Sequence, residues 1–597
     1  MSKSDIQNNN LEIMRHSAAH VLAAAVQKLY PAAKFAIGPA IEKGFYYDFD
    51  FPKPVSEEEL PKIEQEMKKI KKETVPFEKE EIPIEKARDI FSDQPYKLEL
   101  INQLKKEEEL IDSDKVTIYK TGDFVDLCRG PHVEDTSQIG AFKLHKIAGA
   151  YWRGDENNPM LTRIYGIAFE TQEELQEHLE MLRKAEERDH RKIGQEMGLF
   201  SFHPQAAPGD VFWHPKGYTI IKELIRYWRD VHRRENYVEV RTPEILTKKI
   251  WEQSGHTTSF LEKMYKISTQ DDKVWDMAVK PMNCDGGILI YKNKNHSYRD
   301  LPLRMGELGV VHRYEGSGEL HGILRPREFT QDDAHIYCTP EQVKEELKKI
   351  IELCFEVYET CGLELDHLEL STRPENSIGS DKIWEKAEQT MKVTLEESKI
   401  KHKINAGDGA FYGPKIDFHL KDSLGRTWQC ATIQLDFAQP ENFELEYVDE
   451  NGERKRPVMI HRTIYGSLER FTGILMENYA GNFPLWLAPI QAIIIPISEN
   501  QINYAQEVKE KLLEIKNPTE KFRVKIDQTN QTLEKKIRNA ETQRVPYMLI
   551  VGSREEEAGN EVSVRIRNGG DLGTMKIENL INKLQEKITN KSLTLDF

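Results

Sequence analysis

The chain has 597 residues, with 100 acidic and 84 basic side chains and a formal net charge of −16. This length exceeds what one hydrophobic core supports and predicts roughly four domains. The negative charge argues against a protein that binds nucleic acid over its whole surface, while basic stretches such as residues 68–73 stay compatible with local RNA binding.

The six cysteines are too sparse for a disulfide scaffold, and no two of them form a CxxC pair. They predict a reducing, cytoplasmic environment. No apolar run approaches the roughly 18 residues of a membrane span, and the polar start of the chain lacks the apolar core of a secretory signal. We therefore expect a protein that is neither exported nor inserted into a membrane.

The first module opens with an alanine-rich, periodic segment that predicts a helix ended by Pro31. His16 and His20 lie four residues apart and therefore project from one face of this helix. Cys128 and His132 are also four apart, in a predicted turn near a strand end. The two pairs form a candidate site that would hold zinc or would position water and substrate without a metal. The competing interpretation is that the histidines pack the helix and the cysteine is a buried thiol.

Two changes of pattern follow along the chain. Residues 171–197 predict one charged amphipathic helix that opens with a capping box, Thr171 three residues before Glu174. From about Gly198, aromatic-rich alternating segments predict a mixed, largely antiparallel sheet covered by helices. From Ala488 onward, strands alternate with helices and predict a small α/β domain.

Residues 304–335 predict an antiparallel hairpin with a long polar loop. Arg313 and Arg325 stand at the two ends of this loop. A guanidinium group is always charged and can hold an oxyanion with two donors, as phosphate transfer requires. Ordinary surface charges on a solvated hairpin are the competing interpretation.

The string HRYEGSGELHG followed by RPREFTQDDAHIYC resembles motif 2 of the class II aminoacyl-tRNA synthetases. EVRTPEI at residues 239–245 is similar to motif 1, which in the family forms a dimer interface around a proline, here Pro243. GSLERFTGILMEN at residues 466–478 is similar to motif 3, with Arg470 as the nucleotide-binding arginine. The likeness covers nearly the whole chain and is strongest to the threonyl-tRNA synthetase family, so a homodimer is implied.

The resemblance implies an α+β multidomain protein built on the class II antiparallel sheet flanked by helices. The implied divisions are an α+β editing domain at residues 1–169, a linker helix at 170–197, the class II catalytic domain at 198–487 and an α/β anticodon-binding domain at 488–597. Many family members carry a small ubiquitin-like domain ahead of the editing domain. Here a short polar segment precedes it, and we expect that domain's contribution to be absent.

The implied activity is ATP-dependent attachment of L-threonine to tRNA(Thr) through threonyl-adenylate, with Mg²⁺ accompanying ATP. By resemblance, Arg313 would hold the α-phosphate, and Arg325 and Arg470 the distal phosphates. Glu315 would contact the adenine edge, and Phe329 would stack on the ring opposite Arg470. The residues implied to orient the amino acid or complete its pocket are Gln331, Asp333, Tyr412, Gln429, Thr432 and Gln434, and those implied to be catalytic are Arg313, Arg470, Gln331 and Asp333.

The family also holds a zinc ion in the amino-acid pocket, and the matching residues are Cys284, His335 and His461. Their wide spacing is no zinc signature by itself, so this ligand set, one ion per chain, rests on the resemblance. Three protein ligands leave a position open. Threonine would bring its amine and hydroxyl to the ion, whereas valine would bring only the amine, and a site built to bind a hydroxyl rejects the analogue that lacks it.

Serine keeps both groups and lacks one methyl, a difference that supplies only ~1–3 kcal/mol of discrimination. A second, hydrolytic site is therefore expected. HSAAH with CRGPH is similar to the editing domain shared by threonyl- and alanyl-tRNA synthetases. His16, His20, Cys128 and His132 would line its pocket, and Asp126 would orient them.

In the last domain, Glu555 and Arg565 occupy positions similar to those with which the family reads anticodon bases. Ordinary surface charges are the competing interpretation. Two alternatives to the whole assignment stay open: another class II synthetase, such as the seryl or prolyl enzyme, and an RNA-binding regulator without turnover. The intact arginines of motifs 2 and 3 argue against the regulator, because a binding module needs no phosphate clamp.

Overall fold

A computed structural model describes residues 3–104, 115–155, 157–268, 274–515 and 521–597, and for residues 3–8 and 259 it describes the backbone alone. The chain divides into two compact units, Met1–Arg183 and Lys184–Phe597. Among the helices of the described ranges, none combines the length and apolar character needed to cross a bilayer.

The first unit packs one long helix on two antiparallel sheets. Its helices are α1 (Lys3–Leu29), α2 (Leu60–Lys72), α3 (Ile84–Ile90), α4 (Pro95–Leu104) and α5 (Gln172–Glu187). Its strands are β1 (Lys34–Phe35), β2 (Ala40–Ile41), β3 (Gly44–Asp50), β4 (Phe77–Pro83), β5 (Lys115–Thr121), β6 (Phe124–Leu127), β7 (Ala141–Tyr151) and β8 (Met160–Phe169). The larger sheet has the order β1-β3-β8-β7 with β2 beside β3, and the smaller has the order β4-β5-β6.

Alanine side chains let helix α1 lie close to its neighbours. Ala18, Ala19 and Ala23 are fully buried, in one apolar cluster with Phe45 and Phe49 of strand β3. The predicted N-terminal helix is thus confirmed, and it ends at Leu29, two residues before the proline. Because α1 is buried, the helix face that carries His16 and His20 points into the unit rather than toward solvent.

The predicted single helix at 171–197 is wrong, because the segment forms two helices, α5 and α6 (His190–Met197). The capping box is present: Glu174 N–H donates to Thr171 Oγ1 at 3.2 Å, and Thr171 N–H donates to Glu174 Oε2 at 3.1 Å. The break occurs at Asp189, whose side chain caps α6 by accepting from Arg191 N–H at 2.8 Å. The boundary between the units falls within α5.

An eight-stranded sheet forms the centre of the second unit, in the order β11-β15-β16-β23-β20-β19-β17-β18. The strands from β9 to β23 are β9 (Phe200–Ser201), β10 (Phe212–Trp213), β11 (Val238–Glu239), β12 (Ile245–Thr247), β13 (Lys266–Ile267), β14 (Met277–Val279), β15 (Leu303–His312), β16 (Glu328–Cys338), β17 (Glu364–Ser371), β18 (His402–Asn405), β19 (Lys415–Lys421), β20 (Thr427–Asp436), β21 (Tyr447–Val448), β22 (Arg454–Lys455) and β23 (Val458–Thr463). The edge pairs β11/β15 and β17/β18 are parallel, and the pairs between them are antiparallel.

Helices cover this sheet, and the predicted class II layout is present. They are α7 (Pro215–Arg234), α8 (Lys248–Gln253), α9 (His256–Ser259), α10 (Cys284–Lys292), α11 (Val343–Thr360), α12 (Asp381–Glu397), α13 (Ala438–Asn442) and α14 (Leu468–Asn478). The predicted hairpin is confirmed: β15 and β16 pair antiparallel from Leu303 opposite Tyr337 to His312 opposite Glu328. The two motif 2 arginines therefore lie in the loop at one end of this pair.

The C-terminal part of the second unit is the predicted small α/β fold. Its strands are β24 (Ala492–Pro496), β25 (Val524–Ile526), β26 (Tyr547–Val551), β27 (Glu561–Ile566) and β28 (Gly570–Lys576), and its helices are α15 (Ile502–Leu512), α16 (Leu533–Thr542), α17 (Ser553–Ala558) and α18 (Ile577–Thr589). The sheet order is β25-β24-β26-β27-β28, with β24 parallel to both β25 and β26. Arg523 ties this part to α7 through a 2.6 Å ion pair with Glu223.

Candidate functional site

A cavity of about 1090 Å³ opens on one face of the eight-stranded sheet. All the residues implied for ATP, amino acid and zinc line it: Cys284, Arg313, Glu315, Arg325, Phe329, Gln331, Asp333, His335, Tyr412, Gln429, Thr432, Gln434, His461 and Arg470. Loop residues that the sequence analysis did not identify complete the wall, among them Thr258, Phe260 and residues 374–378. The cavity is therefore where the residues of motifs 2 and 3 meet those implied to bind the amino acid and zinc.

The floor of the cavity is the face of the sheet formed by β16, β23 and β20, and strand geometry explains why its side chains are polar. Successive strand side chains alternate between faces, so Phe329, Gln331, Asp333 and His335 of β16 share one face. The register then extends this row sideways: His335 pairs with His461 of β23, which in turn pairs with Gln434 of β20. Side chains far apart in sequence thus become neighbours on one surface.

The motif 2 loop holds its charged groups in a network. Arg313 lies directly after β15 and is half-buried in the cavity wall. Its guanidinium carbon lies 5.2 Å from the Phe329 ring centre, and Nε donates to the Pro281 carbonyl at 3.2 Å. Arg325 donates to Glu315 Oε2 at 3.1 Å, and Lys263 donates to the same oxygen at 2.8 Å. Glu319 accepts from the same two cations, at 3.1 Å from Arg325 and 2.7 Å from Lys263. The network therefore places two cationic groups at the cavity mouth with two carboxylates between them.

Arg470 approaches the cavity from the motif 3 helix. Ser467 caps α14 by accepting from Arg470 N–H at 3.1 Å. The guanidinium donates through Nε to the Gln429 carbonyl at 3.1 Å. Its second contact, to the Leu324 carbonyl, is 3.4 Å long. Because these partners are neutral carbonyls, the positive charge of Arg470 stays available to an anion.

Two buried polar residues that the sequence analysis missed hold the pocket floor. Asn283 Nδ2 donates to Asp333 Oδ2 at 3.2 Å, and Asp417 Oδ1 accepts from Gln429 Nε2 at 2.7 Å and from Thr432 Oγ1 at 2.8 Å. Tyr412 OH also donates to Gln434 Oε1. The amino-acid pocket is thus positioned by partners outside the motifs.

Cys284, His335 and His461 surround one corner of the cavity. Cys284 is the first residue of α10, and the two imidazole rings meet edge to face with centres 5.0 Å apart. The donor atoms of the three residues do not all lie within 4.8 Å of one another here. Burial raises the pKa of the Cys284 thiol and lowers the pKa of His335 to about 4, so the imidazole is neutral at pH 7.

The buried carboxylate of Asp436 supports the assignment of this corner as a metal site, because it orients the His461 ring. His461 Nε2 donates to Asp436 Oδ2 at 2.9 Å, which leaves Nδ1 of the ring as its free ligand atom. Histidines that bind metals commonly donate their second nitrogen to a carboxylate in this way. A cysteine sulfur and two imidazole nitrogens are also the donor types that zinc prefers.

The first unit brings its four predicted residues into one cluster. The donor atoms of His16, His20, Cys128 and His132 all lie within 4.8 Å of one another. The Cys128 Sγ is 3.4 Å from His16 Nε2 and 3.4 Å from His132 Nε2. Burial raises the pKa of Cys128 to about 12 and lowers the pKa of all three histidines. The cluster is therefore neutral at pH 7 and offers lone pairs to a metal or to a water molecule.

Asp126 lies beside this cluster, as expected, with partners that the sequence analysis did not identify. Its carboxylate is 3.5 Å from His20 Nε2 and accepts from Tyr47 OH at 2.8 Å. Lys97 forms a close ion pair with the same carboxylate, and both residues are almost fully buried. The ammonium group thus compensates the carboxylate charge next to the histidine cluster.

Glu555 and Arg565 lie near each other in the C-terminal sheet. Glu555 Oε1 accepts from Ser563 Oγ at 2.9 Å, and Oε2 accepts from Gly552 N–H at 2.9 Å. Ser563 and Arg565 are two residues apart on β27, on one face of the sheet. Within the described ranges, Arg565 Nε has no hydrogen-bond partner. This nitrogen is shielded from solvent, while the Arg565 side chain as a whole is half-buried.

Comparisons with known proteins agree with this arrangement. Residues 265–479 match the model of the tRNA synthetase class II core domain (G, H, P, S and T), residues 491–587 match the anticodon binding domain, and residues 116–165 match the threonyl and alanyl tRNA synthetase second additional domain. The chain is 52% identical to a threonine--tRNA ligase of Clostridium botulinum over 97% of this chain and 89% of that protein. A corresponding protein of Acetivibrio thermocellus is also 52% identical, over 97% of this chain and 88% of that protein.

A solved structure extends the likeness to the fold. The RNA binding domain of threonyl-tRNA synthetase from Cryptosporidium parvum is 39% identical and superimposes with a TM-score of 0.63, covering 67% of this chain and 98% of that chain. Sequence identity over nearly the full length, the three matching domains and a cavity lined by residues of motifs 2 and 3 point the same way. The chain belongs to the threonyl-tRNA synthetase family of class II.

Proposed function

We propose that this chain joins L-threonine to tRNA(Thr) in two steps, by way of threonyl-adenylate, and hydrolyses Ser-tRNA(Thr) in its first unit. The observation that carries the proposal is the single cavity in which the motif 2 and motif 3 arginines face a corner formed by one cysteine and two histidines. A phosphate clamp next to a pocket selective for a hydroxyl amino acid is what threonine activation requires. No nucleophilic side chain is needed, because activation is mostly positioning and charge neutralisation.

Each arginine has a role that follows from its surroundings. Arg313 would hold the α-phosphate, since it interacts electrostatically with Tyr412 and Asp333 of the amino-acid pocket, where the new bond forms. Arg325 and Arg470 would hold the distal phosphates, and Mg²⁺ bound with ATP would offset the rest of the phosphate charge. Phe329 would stack on the adenine ring, and Glu315 would accept from its exocyclic amine.

The amino acid would sit on the floor of the cavity, with Asp333 accepting from its amine. Cys284, His335 and His461 would hold one zinc ion per chain. Bound zinc would supply a Lewis acid with an open position for the amine and hydroxyl of threonine. Tyr412 and Gln434 would hold the amino-acid end in place, and Gln331, Gln429 and Thr432 would close the floor around its methyl group.

The cluster of His16, His20, Cys128 and His132 would remove serine from tRNA(Thr). Neutral imidazoles can take a proton from an attacking water, and histidine, with an unperturbed pKa of ~6.5, suits this step near neutral pH. The paired Asp126 and Lys97 would fix His20 in position. Whether a metal joins the cluster does not alter this assignment, since the same lone pairs would orient water in either case.

The remaining assignments concern partners and surroundings. Glu555 and Arg565 would read anticodon bases within the domain at residues 488–597. A homodimer would form through motif 1 at residues 239–245, where the apolar side chain of Ile245 is 46% exposed and that of Val238, directly before the motif, is 49% exposed. The domain divisions at 169, 197 and 487 and a cytoplasmic location complete the proposal.

Pyrophosphate exchange measured with each of the twenty amino acids tests the central claim. Threonine should support exchange, serine should support it more weakly, and valine should give none, because valine lacks the hydroxyl. Exchange driven by proline, or by serine better than by threonine, would assign the chain to another class II specificity. Failure of all twenty would identify a binding protein without turnover.

A further inference from the structure

A second group of metal-type ligands lies on the outer strands of the catalytic sheet, apart from the cavity. His367 and Glu369 are two residues apart on β17, and His419 lies on the neighbouring strand β19, directly opposite His367. One donor atom from each of the three residues lies within 4.8 Å of the other two. Sheet geometry thus places two imidazoles and a carboxylate on one patch of surface.

The distances between the donor atoms of these side chains fit one shared metal ion. His367 Nε2 is 3.0 Å from Glu369 Oε1, and His419 Nε2 is 3.5 Å from Glu369 Oε2. Ligand atoms about 2.0–2.2 Å from a zinc ion in tetrahedral geometry are separated by similar distances. The two imidazole rings lie face to face, with centres 4.5 Å apart and planes 4° apart. Small rotations of the rings would therefore turn both nitrogens toward one ion.

The environment of His419 Nε2 within the described residues indicates that this atom lacks a hydrogen-bond partner. This atom is shielded from solvent and has no hydrogen-bond partner in the described part of the chain. A shielded polar atom is costly unless it is paired. The side chains of His367, Glu369 and His419 are 17%, 20% and 19% exposed, so an ion can reach the group from solvent. A bound cation would satisfy the unpaired nitrogen.

A β-bulge supplies the outer support that metal-binding histidines require. The pairing of β17 with β19 passes from Leu365 to His367 and leaves Asp366 unpaired. The carboxylate of Asp366 thereby accepts from His367 Nδ1 at 2.6 Å, which directs Nε2 toward the group. Asn405 Nδ2 donates to Glu369 Oε2 at 3.1 Å and fixes the carboxylate in the same way.

We propose that His367, Glu369 and His419 bind a borderline divalent transition-metal ion of the zinc type, with the fourth position left to water. Two imidazoles and a carboxylate are ligands that suit zinc and its neighbours rather than Mg²⁺ or Ca²⁺, which prefer oxygen. When it binds, the ion replaces the 3.0 Å contact between His367 Nε2 and Glu369 Oε1.

A bound ion would join β17 to β19 across the sheet. His419 is two residues from Asp417, the carboxylate that holds Gln429 and Thr432 in the cavity floor. The ion is therefore a structural one that stiffens the strands beside the floor. Only β20 separates β19, which carries His419, from β23, which carries His461 of the cavity.

Zinc stoichiometry of the full-length chain tests the proposal. The parent, His367→Ala, His419→Ala and the control His402→Ala would be saturated with Zn²⁺, freed of loosely bound metal and analysed by mass spectrometry of metal and protein. His402 is a histidine of the adjacent strand β18 whose Nδ1 contacts the Ile400 carbonyl, outside the group. Each of the two group variants should hold one equivalent less than the parent, while His402→Ala should hold the parental amount.

Asp366→Asn is the variant that separates loss of zinc binding from loss of fold, because it leaves all three ligands in place. Loss of an outer-shell carboxylate should weaken zinc binding at this site about 10–100-fold, with the thermal unfolding of the metal-free chain unchanged. The proposal is overturned if all variants retain the parental stoichiometry, if His402→Ala loses as much zinc as the group variants, or if Asp366→Asn binds zinc as tightly as the parent.

Discussion

His461 and Asp436 are joined by a 2.9 Å hydrogen bond from the ring Nε2 to the buried Oδ2 of the carboxylate. The other oxygen of Asp436 accepts from the N–H groups of Ala438 and Gln439 at the start of α13, at 2.7 and 2.9 Å. One side chain thus fixes both the tautomer of a candidate zinc ligand and the end of a helix. The two functions can be separated by mutation.

Asp436→Asn should remove zinc while keeping the fold. The asparagine oxygen can still cap α13, but its amide would donate to His461 Nε2 and move the ring proton to Nδ1, the intended ligand atom. We expect zinc affinity to fall about 10–100-fold, as for other outer-shell losses, and threonine-dependent pyrophosphate exchange to fall with it. Parental zinc content together with parental exchange would show that His461 is not a ligand.

Arg313→Ala should reduce adenylate formation by about 10²–10³, because removal of one transition-state donor typically costs that much. Threonine-dependent pyrophosphate exchange measures the loss. Arg299→Ala is the matched control, since this arginine is exposed in the turn before β15. Exchange near the parental rate in the Arg313 variant would mean that the α-phosphate contact is misassigned.

His16→Ala and Cys128→Ala should leave threonine charging near normal and let Ser-tRNA(Thr) accumulate, because their cluster is in the first unit and the activation cavity is in the second. Charging assays with serine and deacylation of preformed Ser-tRNA(Thr) measure the effect. His145→Ala, an exposed histidine of the same unit, is the control. If both variants mischarge no more than this control, the cluster is structural.

Arg565→Ala should lower charging of tRNA(Thr) and leave pyrophosphate exchange untouched, since Arg565 lies on β27 of the C-terminal sheet and does not line the activation cavity. Kinetics of charging over a range of tRNA concentrations would separate weaker binding from slower turnover. Equal loss in both assays would indicate misfolding of the variant rather than loss of a base contact.

Glu469 predicts a pH dependence of stability. Burial raises the pKa of this carboxyl to about 7 although Glu469 Oε2 accepts from Thr330 N–H at 2.8 Å. The folded state therefore binds the proton more tightly than the unfolded state, and the free energy of unfolding should fall as pH rises from about 4.5 to about 7, by at most about 3 kcal/mol. Below that window the carboxyl is protonated in both states and contributes nothing.

Glu469→Gln removes this titration and keeps an acceptor for Thr330. The difference in Tm between variant and parent should be small near pH 5 and should grow in favour of the variant toward about pH 8. Comparing the two proteins cancels the titration of other groups. A constant difference across the range would show that Glu469 titrates normally in the folded chain.

Much of the architecture is predictable from local patterns. Alternation and turn residues predict the β15/β16 hairpin, alanine periodicity predicts α1, and the Thr171 capping box fixes the start of α5. The break at Asp189 also had a local signal, because aspartate is a favoured helix cap. It was missed since the amphipathic pattern continues through it.

The supporting residues were not predictable because their role depends on contacts that are distant in sequence. Lys97 matters through Asp126, Asn283 through Asp333, and Asp417 through Gln429. None of these belongs to a motif, and a lone lysine, asparagine or aspartate in a sequence carries no sign of its partner. The chemical groups of a site are therefore easier to predict than the groups that hold them.

The register between β16, β23 and β20 makes the composition of the pocket depend on the number of residues in each strand. Because strand side chains alternate, inserting or deleting one residue in β23 would turn His461 to the opposite face of the sheet and leave His335 and Gln434 behind. Every ligand would still be present in such a sequence. The pocket can therefore evolve by substitution and by changes in the loops. Single-residue insertions and deletions within the three strands would disrupt it.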